Sequence, residues 1–71
     1  LDADRRKHQK EVEKTENEIA LLEDKKSKLT DQMNNPDIAS NSAKLNELAK
    51  EIEDIDNSLS VLMEKWESLL D

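Results

Sequence analysis

The chain has no cysteine and no glycine, and Pro36 is its only proline. Without cysteine there is no disulfide and no thiolate metal site to stiffen it. Without glycine, the phosphate-cradling loops of nucleotide-binding enzymes have no residue that lets the backbone approach a phosphate closely. Phenylalanine and tyrosine are missing too, and Trp66 is the single aromatic side chain. No apolar run approaches the length that spans a bilayer, and no signal-peptide pattern opens the chain. The lack of cysteine is compatible with the cytoplasm. Seventy-one residues make one small unit, too short to bury a thick core unaided.

What is present is charge and periodicity. Charged residues make up 41% of the chain, with 18 acids against 11 lysines and arginines, for a net charge of −7. The apolar residues are almost all aliphatic, and their spacing separates this composition from that of a disordered chain. Leu45, Leu48, Ile52, Ile55, Leu59, Leu62, Trp66 and Leu69 follow one another at alternating steps of three and four. That is an unbroken a/d seam of a coiled coil, and such a stripe must lie on another helix. Val12, Thr15, Ile19, Leu22, Lys26, Leu29 and Met33 repeat the same rhythm, with Thr15 and Lys26 as polar interruptions. Arg5 and His8 continue this second seam toward the start. Leu21 lies beside it and is expected to widen the apolar face. The Lys26 stem can cover apolar surface while its ammonium stays wet.

Between the seams stands Asn34-Asn35-Pro36-Asp37-Ile38. Proline ends the first helix and restricts the residue before it. Asn35-Pro36-Asp37 also reads as a new start: asparagine as cap, proline in the first position, an acid behind it. One helical turn is expected at 36–39, after a trans Asn35–Pro36 bond, with Ile38 folded over the end of the coil. Ser40-Asn41-Ser42 then caps the main second helix. At the start of the chain Asp2 or Asp4 can cap the first helix.

The expected fold is all-α, an antiparallel two-helix coiled-coil hairpin over 1–71: a helix at about 3–34, a turn at 35–41 and a helix at about 42–70. A linker of about seven residues is too short for any other arrangement. Setting Met33 opposite Leu45 puts Leu29 near Leu48, Leu22 near Ile55, Ile19 near Leu59, Thr15 near Leu62 and Val12 opposite Trp66. The indole is expected to fill the layer nearest the open end.

Charge is uneven along the chain. Residues 1–36 hold eight basic and nine acidic residues, a balance of −1; residues 37–71 hold three and nine, a balance of −6. Any phosphate contact therefore rests on local clusters. Arg5, Arg6, Lys7 and Lys10 form the densest one, read either as a solvated helix start or as a phosphate-facing patch. Lys25, Lys26, Lys28 and Lys44 form a second cluster toward the turn, with the same two readings. His8, flanked by Asp4 and Glu11, reads as an exposed end residue rather than a metal ligand. No nucleophile has a paired base, so no residues suggest catalysis.

The turn Asn35-Pro36-Asp37-Ile38, the run Lys44-Leu45-Asn46-Glu47-Leu48, the following Glu51-Ile52-Glu53 and the ending Glu64-Lys65-Trp66-Glu67-Ser68-Leu69 occur in one order. Together they resemble the C-terminal coiled-coil domain of ABC-F ATPases, the Uup-like branch of ATP-binding-cassette proteins without membrane segments. The resemblance covers roughly residues 10–70. Where that family often has Asp-Pro, this chain has Asn41-Ser42, which keeps the cap. The resemblance implies a non-catalytic, cytoplasmic arm behind two ATP-binding domains, with DNA or the ribosome as partner. ATP and Mg²⁺ would belong to the parent ATPase, and this part would hold no cofactor and no metal. The residues expected to meet phosphates are Arg5, Arg6, Lys7, Lys10, Lys25, Lys28 and Lys44. The alternative is a structural coil that packs on its own ATPase domains or associates with another copy through the second helix's seam.

Overall fold

A computed structural model of the chain describes residues 2–70. Three helices follow in order: α1 (Asp2–Met33), α2 (Pro36–Ala39) and α3 (Ser42–Leu70). The first and last are long and lie against each other, while α2 is a single turn at the bend. The result is an all-α antiparallel hairpin measuring 57 × 15 × 13 Å.

Both seams lie where the three-four spacing puts them. Every seam residue from Val12 to Met33 on α1 and from Leu45 to Leu69 on α3 is buried or half-buried, and nearly every other described residue is exposed. Leu29, Leu48, Ile55 and Leu59 form the core, each less than a tenth exposed, with Ile19, Leu22, Met33, Ile38 and Ile52 packed around them. A layer two helices thick cannot close over its side chains, so most seam residues keep one edge in water.

The two polar interruptions behave differently. Thr15 is fully enclosed, at 0% exposure, and is the most buried residue described. Its hydroxyl donates to the Glu11 carbonyl at 2.8 Å, one turn back in its own helix, so the buried oxygen is satisfied without help from α3. Lys26 stays half-buried and sends its ammonium to Asp56 of α3 at 2.6 Å. Asp56 lies one turn along α3 from Ile52, the residue that the Met33–Leu45 register sets opposite Lys26. The lysine stem spans that turn over the core edge, as an amphipathic side chain does.

The bend is built from caps. The Asn35 side chain accepts from the Asp37 amide at 3.0 Å, Pro36 occupies the first position of α2, and the Asn35–Pro36 bond is trans. Ile38 is half-buried against the core. The Asn41 side chain accepts from the Lys44 amide at 3.2 Å, which makes Asn41 the cap of α3. The chain reverses with no residue at positive φ, so the bend needs no glycine.

Two expectations fail. Arg5 and His8 are exposed and add nothing to the seam. In the register set by the turn, Leu70 is level with His8, and no described residue of α3 reaches the level of Arg5. Leu21 does not widen the core face: it is 71% exposed.

Candidate nucleic-acid interface

Residues 3–10 of α1 are all exposed. Among the described residues, Arg5, Arg6, Lys7 and Lys10 form no ion pair. Four cations therefore stand within six residues of a regular helix, on a segment spanning about 8–9 Å at ~1.5 Å rise per residue. Arg6 and Lys10 share a shallow depression with Gln9 and Glu13 on the outer side of α1. At about 100° per residue the four side chains point around the helix and do not gather on one face.

The cluster stops at a structural ion pair. Glu11 and Lys65 meet across the two helices at 2.6 Å, just inside the basic segment. The hydrogen bond and charge of Lys65 hold the Glu11 carboxyl below its usual range, and the same bond and the Glu11 charge hold the Lys65 ammonium above its own. Both side chains are about two-fifths exposed, so the pair fixes register more than it stabilises. It supports the register that sets Val12 opposite Trp66. The Trp66 ring is half-buried beside Glu16, Ile19 and Met63, and its indole N–H is buried with no acceptor among the described residues.

The second cluster is less of a patch. Lys28 is engaged with Asp24 one turn away, at 3.1 Å, and Lys26 with Asp56. Lys25 and Lys44 are exposed. Lys25 and Lys28 lie on the same side of the hairpin as Glu51 and Asp54 of α3, so their field is partly cancelled. At the bend itself, residues 34–42 carry a single charge, Asp37.

Leu21 widens the apolar surface not into the core but along the flank, where it lines an apolar groove with Val61. The groove is an open hollow of about 690 Å³ lined by Leu21 and Leu22 of α1 and Val61 and Leu62 of α3, with Glu18 and Ser58 at its rim. Val61 is 65% exposed. The available signal was that Leu21 and Val61 occupy equivalent heptad positions, about one turn apart in the antiparallel register.

Among the described residues, no group of three or more His, Asp or Glu could hold a metal ion, and no helix is long and apolar enough to cross a membrane. The fold and its exposed charges thus define a rigid helical-hairpin appendage. The family model described as the ABC transporter C-terminal domain matches residues 5–71, and the chain belongs to that family. None of the curated proteins and none of the solved structures compared with the chain matches it.

Proposed function

We propose that this hairpin is the non-catalytic arm of an ABC-F ATPase of the Uup-like branch, and that it contacts nucleic acid, either DNA or RNA on the ribosome. The observation that carries this reading is the exposed set Arg5, Arg6, Lys7 and Lys10, which forms no ion pair among the described residues. The family match supplies the ABC context, and the turn and Lys65-Trp66-Glu67 ending support the ABC-F branch.

The mechanism is positional. A coil 57 Å long sets the distance between a parent's ATP-binding domains and whatever the arm touches. The four cations exchange condensed counterions for phosphates, which gives sequence-independent, salt-sensitive binding. Lys25, Lys28 and Lys44 contribute less, because Lys28 is already paired and acids stand beside Lys25. Hydrolysis of ATP with Mg²⁺ takes place in the cytoplasmic parent's other domains.

The test is binding of the labelled chain to duplex DNA and to ribosomes, each at low and moderate salt. Salt-sensitive binding to duplex DNA supports a DNA arm, and binding to ribosomes alone supports a translation-linked arm. Binding to neither removes the nucleic-acid reading and leaves a coil that packs on its own ATPase domains.

A further inference from the structure

The groove between Leu21 and Val61 has no role in the contact proposed above. It lies on the flank that also carries the Glu11–Lys65 pair, about half-way along the hairpin. Seven residues return to the same side of a coiled-coil helix. Two turns toward the bend from Leu21 stands Lys28, with Lys25 between them; two turns toward the bend from Val61 stands Asp54, with Glu51 beyond it. One face thus presents an apolar spot and, toward the bend, cations on α1 beside anions on α3.

Such a face is complementary to itself. We infer that it pairs with a second copy of this hairpin, the two lying parallel with their bends at the same end, related by a twofold axis along their length. That symmetry sets α1 of one copy over α3 of the other. Leu21 then comes within about one turn of Val61 of the other copy, and Lys25 and Lys28 lie level with the other copy's Asp54 and Glu51. The opposite, antiparallel pairing would set α1 on α1 and bring Lys28 against Lys14, each two turns from Leu21.

The α3 seam takes no part, because α1 already covers it. The contact runs from the groove toward the bend, over only part of the 57 Å length, which is less than a standard-size interface uses. With one apolar spot, the pairing is weak, with a Kd on the order of 10–100 µM.

Sedimentation equilibrium of the full chain over that concentration range tests this at low salt. The mass should rise from that of one chain toward that of two. Replacing both exposed groove residues, Leu21→Gln with Val61→Gln, should weaken association by at least about tenfold while circular dichroism keeps its helical signal. Reversing charge on one helix, K25E with K28E or E51K with D54K, should do the same, and combining all four reversals should restore the dimer. A mass that stays monomeric throughout overturns the inference. So does a dimer indifferent to the groove pair, or one that the four combined reversals fail to restore.

Discussion

The two ends of the hairpin are built on opposite principles. Toward the bend, side chains cap amides, Ile38 covers the coil and the core residues Leu29 and Leu48 are sealed, while the bend itself carries a single charge, Asp37. At the other end, the α1 seam positions pass to Arg5 and His8, and the cations of residues 5–10 face water. The same heptad rhythm runs through both. What differs is what fills the seam positions: aliphatic side chains toward the bend, Arg5 and His8 near the start. Stability and contact are thereby separated along one long axis.

The largest effect should come from the sealed part. Leu59→Ala opens a cavity in a core of four buried residues and should cost about 2–5 kcal/mol, enough to unfold much of a chain this small. Thermal unfolding followed by circular dichroism reads this directly. A loss below about 1 kcal/mol would mean that the layers are far looser than described.

A subtler break lies at Thr15. Replacing it by leucine repairs the a/d pattern on paper, yet the site has no space left, since Thr15 is already fully enclosed. Thr15→Leu should therefore destabilise by about 1–3 kcal/mol. Thr15→Val, close in shape, should stay within about 1 kcal/mol, because only a hydrogen bond within the helix is lost. A stabilised Thr15→Leu chain would show instead that the two helices move apart there at little cost.

The smallest effect belongs to the Glu11–Lys65 pair. The Glu11 pKa is lowered by folding, so its contribution is present above the ordinary carboxylate range and is lost as pH falls through the lowered value. The Lys65 pKa is raised, so its contribution is complete below the ordinary lysine range and is lost as pH rises through the raised value. Unfolding midpoints should show a shallow acid limb that Glu11→Gln flattens. An acid limb unchanged in Glu11→Gln would assign the pH dependence to other acids.

Much of this fold was legible in the sequence because coiled coils encode burial as spacing. Leu45 through Leu69 named its own seam, and Asn35-Pro36 and Asn41 marked the bend by their local hydrogen bonding, which needs no distant partner. Thr15 was legible as a seam position, but its enclosure was not, because threonine polarity says nothing of how closely two backbones approach. His8 was legible as an exposed end residue, and Arg5 at its seam position is exposed as well. For the flank groove, Leu21 and Val61 become neighbours only once the register is set. Of the candidate contact residues, Arg5, Arg6, Lys7 and Lys10 stand exposed and unpaired among the described residues, whereas the pairing of Lys28 with Asp24 required coordinates.

The most direct test of this separation is the salt dependence of duplex DNA binding by three chains: the natural one, one with Arg5, Arg6, Lys7 and Lys10 changed to Glu, and one with Lys25, Lys28 and Lys44 changed to Glu. The natural chain should show a slope of log affinity against log salt of about −3 to −4, as four phosphate contacts require. Reversal at the start should flatten it and remove most of the affinity without lowering the unfolding temperature, and reversal toward the bend should leave most of both. Binding lost on reversal toward the bend and kept on reversal at the start would contradict the account.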